Sequence, residues 1–97
     1  MRRAAKVDAN QPEIVEAFRK LGASVQPLHS VGKGCPDLMV GYRGRCYAVE
    51  VKDGSKPPSA RKLTPDQVAW HEAWRGHVCI VESVDDVAEF LAACFAD

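Results

Sequence analysis

Between Tyr47 and Lys52 the chain alternates without a break: Tyr47, Val49 and Val51 fall on one side of an extended backbone, and Ala48, Glu50 and Lys52 on the other. Successive side chains of a strand point to opposite faces. This stretch therefore reads as a strand over residues 45–52 whose apolar side is core and whose reverse carries a carboxylate beside an amine. Residues 36–42, with Leu38, Met39 and Val40, form the strand before it, and Gly41-Tyr42-Arg43-Gly44 makes the hairpin turn between the two. Pairing sets Asp37, at the start of one strand, near Glu50 and Lys52 at the end of the next. Two carboxylates at one point of a sheet repel each other unless something positive lies between them. A hard divalent cation does this well, and Mg²⁺ takes carboxylate oxygens while keeping waters for a substrate phosphate.

The remaining elements follow from local signals. Asn10 is placed to cap a first helix, with Pro12 in its first turn and Glu13 as the capping-box partner. Ile14, Ala17, Phe18 and Leu21 share its buried face, and Gly22 ends it. Residues 24–30 read as a short strand around Val25, with Pro27 marking an edge. Residues 53–62 form a basic loop rich in Gly, Ser and Pro. A second helix opens at Thr64-Pro65-Asp66-Gln67 and runs to Trp74; Gly76 stops it, and residues 77–81 are a strand. Ser83 caps a last helix with a stripe of Val84, Val87, Ala88, Leu91 and Phe95. The order α-β-β-β-α-β-α makes an α/β fold with a mixed sheet flanked by helices. Residues 1–97 are read as a single domain, with 1–9 a flexible N-terminal segment.

The formal net charge is zero, from 13 Lys+Arg against 13 Asp+Glu, which by itself argues against a nucleic-acid partner. Its distribution says otherwise. Residues 1–65 carry 12 basic and 6 acidic side chains, whereas residues 66–97 carry 1 basic and 7 acidic. Such asymmetry points to a polyanion. Residues 43–62 hold 6 basic and 2 acidic side chains around Glu50, which makes Arg43, Arg45, Lys56, Arg61 and Lys62 candidates for phosphate contact. Lys33, between Gly32 and Gly34, joins them. The longest apolar run, the seven residues 90–96, is far short of a membrane span, and no signal-peptide pattern opens the chain, so a cytoplasmic location with no membrane contact is expected.

Cys35, Cys46, Cys79 and Cys94 are scattered, with no C-x-x-C pair and no zinc framework. Cys79 and Cys94 read as small buried hydrophobes. His71 reads as cover for apolar surface on the second helix, and His29, the histidine nearest the site, as structural. Trp70 and Trp74 share one helix face, suited to core or a subunit contact.

Pro36-Asp37 followed after twelve residues by Glu50-Val51-Lys52 resembles the signature of the PD-(D/E)xK nucleases. The continuation, Lys52-Asp53-Gly54 and then residues 58–67 (Pro-Ser-Ala-Arg-Lys-Leu-Thr-Pro-Asp-Gln), resembles the VRR-NUC (virus-type replication–repair nuclease) domain, particularly its stand-alone phage and prophage members. The resemblance implies a restriction-endonuclease-like core and Mg²⁺- or Mn²⁺-dependent hydrolysis of DNA phosphodiesters, with no nucleotide cofactor. It implies that Asp37, Glu50 and the backbone carbonyl of Val51 hold the cation, and that Lys52 orients or activates the attacking water. Gln67 stands at the family's glutamine position and also at the N3 position of a capping box begun by Thr64; either use is open. The acidic residue that the family often carries on its first helix has Glu13 and Glu16 as candidates, although neither aligns and Glu13 fits a cap. The resemblance further implies a homodimer that resolves Holliday junctions in DNA repair and recombination, inside a bacterial host cell. The rival readings are a flap or nicking nuclease subunit that needs a replication partner, and a non-catalytic DNA-binding module.

Overall fold

The computed structural model describes residues 7–94. Its elements run α1 (Gln11–Lys20), β1 (Ser24–Pro27), β2 (Leu38–Tyr42), β3 (Arg45–Val51), a 3-10 turn at Pro58–Ala60, α2 (Pro65–Ala73), β4 (Val78–Val81) and α3 (Val84–Ala93). The order is the expected one, with the 3-10 turn added inside the basic loop. The four strands lie in sequence order across one sheet; β1–β2 and β2–β3 are antiparallel, and β3–β4 is parallel. A parallel neighbour requires a crossover, and the segment containing α2 supplies it. β1 lies at the edge, as Pro27 suggested, and is shorter than expected.

The β2–β3 hairpin fixes the site's register. Tyr42 pairs with Arg45, so the loop is the two residues Arg43 and Gly44, both left-handed at φ 50° and 80°. That is the mirror-image turn whose twist matches the flanking strands. From it, Leu38 pairs with Val49, which leaves Asp37 facing Glu50.

One face of the sheet is the core. Leu38, Val40, Tyr47, Val49, Val51 and Val81 bury against Ile14 and Phe18 of α1 and Val87 and Leu91 of α3. Phe90 meets both Phe18 and Tyr47 edge-on, at centroid distances of 6.2 and 5.0 Å. The helix stripes are narrower than the sequence suggested. Leu21, Val84 and Ala88 are exposed, Phe90 packs in their stead, and Phe95 lies outside the described residues. Cys79 and Cys94 are half-buried at the margin of this core.

Asn10 does not cap α1. It makes no side-chain cap hydrogen bond; its Nδ2 donates instead to the carbonyls of Lys52 (3.0 Å) and Glu82 (3.2 Å). Two long-range acceptors at the end of β3 and the end of β4 thus prevail over the local cap, and they tie the start of α1 to the sheet. By contrast, Ser83 caps α3 as expected, accepting from the Asp86 N–H.

Candidate active site

The second face of the sheet carries Glu50 and Lys52, yet neither is open to water: Glu50 is 2% exposed and Lys52 9%. Two pieces of chain cover them. One is α2, and the other is the loop before β2. In that loop Gly32, Lys33 and Gly34 are consecutively left-handed (φ 76°, 55° and 81°), and a Cβ on Gly34 would stand 2.2 Å from the Asp66 carbonyl oxygen. Only glycine allows the loop to lie so close to the start of α2. Between loop, helix and sheet is a cleft of about 300 Å³ lined by Asp37, Glu50, Lys52 and Gln67, together with Asp8, His29 and Lys33.

Asp37 is tied down at both ends. Its backbone carbonyl accepts from Leu28 N–H at 2.7 Å, and its Oδ2 accepts from Val51 N–H at 2.8 Å. Burial, and then the neighbouring Asp37 carboxyl, push the Glu50 carboxyl up to about 9, against the opposing pull of Lys52. At neutral pH the pair therefore keeps one proton.

Gln67 forms the cap and also reaches the cleft. With Thr64 it completes a capping box: Thr64 Oγ1 accepts from Gln67 N–H, and Gln67 Oε1 accepts from Thr64 N–H at 2.9 Å. The same Oε1 accepts from Lys52 Nζ at 2.9 Å, while Gln67 Nε2 donates to Glu50 Oε2 at 3.1 Å. One amide thus starts the helix and bridges the carboxyl and the ammonium.

The acidic candidates of α1 lie elsewhere. Glu16 pairs with Lys20 at 3.0 Å, and Glu13 lines a separate acidic hollow of about 480 Å³ with Asp53, Glu82 and Asp86. The acidic side chain that does reach the cleft is Asp8, two residues ahead of Asn10. Partial burial and the nearby Asp37 charge raise its carboxyl above the usual range. The sequence reading missed it, since nothing local distinguishes an aspartate ahead of a helix. The one usable signal was the lack of an aligned acid on α1 itself.

His71 was also missed. It lies one turn beyond Gln67 and faces Glu50, with Nε2 3.9 Å from Oε1, rather than covering apolar surface. His29 lines the cleft, its Nδ1 buried without a partner. Cys35 is there too, but burial and the charges of Glu50 and Asp37 raise its thiol, the opposite of nucleophile activation.

The basic residues divide into two groups. Lys33 lines the cleft, and Lys56, Arg61 and Lys62 lie in the loop that follows β3, with Arg61 paired to Glu82 at 3.1 Å. Arg43 and Arg45 sit at the hairpin turn, about 17 Å along the strand from Glu50 at roughly 3.3 Å per residue. There Arg43 stacks over Tyr42, and Arg45 donates to the Cys94 carbonyl.

A mixed sheet whose hairpin brings Asp37 beside Glu50, with Lys52 two residues on, defines a restriction-endonuclease-like fold with a carboxylate–lysine site. Comparison with known proteins narrows the class. A solved structure described as a VRR_NUC domain aligns with a TM-score of 0.63 and 34% sequence identity, over 84% of this chain and 89% of that one. The chain belongs to the VRR-NUC family and is a nuclease-family domain. No family sequence model and no curated protein matches it.

Proposed function

We propose that the protein is a metal-dependent, structure-specific DNA endonuclease acting on branched DNA as a homodimer. The observation that carries this reading is the convergence of Asp37 with the buried Glu50 and Lys52 in one cleft. A carboxyl pair that retains a proton to about pH 9 is a place where a divalent cation can replace that proton. The donor set fits one. Glu50 Oε1 is buried with no hydrogen-bond partner, and Asp37 is held rigidly against Val51. Asp37, Glu50 and the Val51 carbonyl would hold Mg²⁺ or Mn²⁺. Among the described residues no three of His, Cys, Asp and Glu converge as a closed metal cluster. Water and substrate would complete the coordination, as Mg²⁺ prefers.

When bound, the cation supplies Lewis-acid polarisation of a phosphodiester. Lys52, held by Gln67, places its ammonium where negative charge develops on the phosphate and orients the attacking water. Asp8, which also lines the cleft, would help to order water there. Lys33, Lys56, Arg61 and Lys62 hold flanking phosphates, and Arg43 and Arg45 would contact DNA only along a path that reaches the far end of the hairpin.

Support for a second copy comes from α2. No residue of this helix is buried; Val68 and Trp74 are exposed, Trp70 and Trp74 stack at 4.6 Å, and Ile80 of β4 is 45% exposed. A dimer using this surface would present two clefts to the two arms of a junction. The test is a panel of four-way junction, flap, nicked and linear DNA with Mg²⁺, Mn²⁺ or EDTA, run beside a measurement of mass in solution. Metal-dependent cutting that favours the junction, by a dimer, is expected. Preference for flaps or nicks, or a monomer at assay concentration, would overturn the junction reading. No cutting of any substrate would leave a DNA-binding module.

A further inference from the structure

Gln67 and His71 are four residues apart on α2, one above the other on the face turned to the sheet. Gln67 takes one edge of the Glu50 carboxyl, donating to Oε2 at 3.1 Å. At the other edge, Oε1 has no hydrogen-bond partner, and the polar atom facing it is His71 Nε2 at 3.9 Å. That nitrogen is itself buried without a partner. The separation exceeds the 2.7–3.2 Å of an N–H···O bond, so two complementary buried atoms stand just short of contact. Buried polar atoms left unpaired in this way are uncommon, and a functional role is among the explanations for them.

The imidazole meets the neighbouring Trp70 ring edge-on at 6.0 Å. α2 buries no residue, yet the His71 side chain is only 15% exposed. It is turned inward on a helix that otherwise rides on the surface, and what it meets there is Glu50. We propose that His71 is a positioning residue for Glu50: its Nε2–H steadies the Oε1 edge while Gln67 holds the Oε2 edge, so that affinity for a divalent cation depends on both. The proposal rests on the reading of Glu50 as a cation ligand. Groups that hydrogen-bond a ligating side chain commonly set metal affinity by 10–100-fold.

The test is calorimetric titration with Mn²⁺ alone, without DNA. His71→Leu fills the space and removes the donor; His71→Gln puts an amide N–H close to the position of Nε2. His71→Leu is expected to weaken Mn²⁺ binding by about 10–100-fold, with a melting temperature in EDTA no lower than that of the parent. His71→Gln should bind within about threefold of it. Parental affinity in His71→Leu would overturn the proposal, as would a His71→Gln protein as weak as His71→Leu, which would mean that the imidazole itself is required. If His71→Leu does not fold, the His71→Gln result decides. A parent protein that binds no Mn²⁺ would overturn the cation reading itself, and a parent that binds equally well with or without His71 would overturn this proposal alone.

Discussion

Replacing Glu50 by Gln should stabilise the metal-free protein, and by an amount that grows with pH. The native carboxyl titrates at about 9, whereas an unfolded glutamate titrates near 4.5. Below pH 4.5 both states hold the proton, and Glu50 imposes no pH-dependent penalty. Between 4.5 and 9 the unfolded chain releases a proton that the native chain keeps, so stability is lost as pH rises, at about 1.4 kcal/mol per pH unit. By pH 7 the loss is roughly 3 kcal/mol, a large part of the ~5–15 kcal/mol that holds a domain together. Gln avoids this loss, and its oxygen can still accept from Gln67 Nε2. Urea unfolding in EDTA at pH 5, 6, 7 and 8 is the assay. The two proteins should differ little at pH 5 and diverge steadily, with Glu50→Gln the more stable by roughly 3 kcal/mol at neutral pH. Parallel profiles would show that native Glu50 is already ionised and would refute the retained-proton account.

Three further outcomes follow from the same geometry. Because a cation must displace the Glu50 proton, Mn²⁺ affinity should climb by up to about tenfold per pH unit between 6 and 8; calorimetry in two buffers of different ionisation heat should report close to one proton released, and none would contradict the site. Gln67→Glu should preserve the capping box and the helix, measured by circular dichroism, yet lower cleavage by at least about tenfold, because a second carboxylate replaces the donor to Glu50; unchanged cleavage would reduce Gln67 to a cap. Lys33→Gly should leave stability unchanged or slightly raised, since glycine tolerates φ 55° without strain, while weakening DNA binding and reducing its salt slope by about one; an unaltered slope would place Lys33 outside the interface.

The features read correctly from sequence share one physical origin, strand periodicity. The alternation from Tyr47 to Lys52 set which side chains meet the core, and the two-residue turn at Arg43-Gly44 carried that pattern across to Asp37. Three other readings misjudged or missed where a residue acts, because distant partners decided the matter. Asn10 has the composition of a cap, but the Lys52 and Glu82 carbonyls claim its amide. Counting charges in a linear window grouped Arg43 and Arg45 with Lys56, although the hairpin carries the two arginines away from Glu50. His71 fits an amphipathic pattern, but α2 crosses the polar face of the sheet, so the inward side of this helix meets carboxyls. Asp8 left no local trace, since its contribution depends on how the segment ahead of α1 runs past β3. Gln67 forms the cap that its position allowed, and the same Oε1 accepts from Thr64 N–H and from Lys52 Nζ, which joins the cap to the cleft.

The proposed chemistry depends most directly on Lys52, which is buried beside the carboxyl pair and held by Gln67. The decisive measurement is the single-turnover rate of Mn²⁺-dependent cleavage of an end-labelled four-way junction by the parent protein and by Lys52→Ala, with DNA binding and folding checked in parallel. A fall of about 10²–10³-fold or more in rate is predicted, with binding reduced far less and the fold intact. Cutting at the parental rate by a folded Lys52→Ala protein would contradict the mechanism.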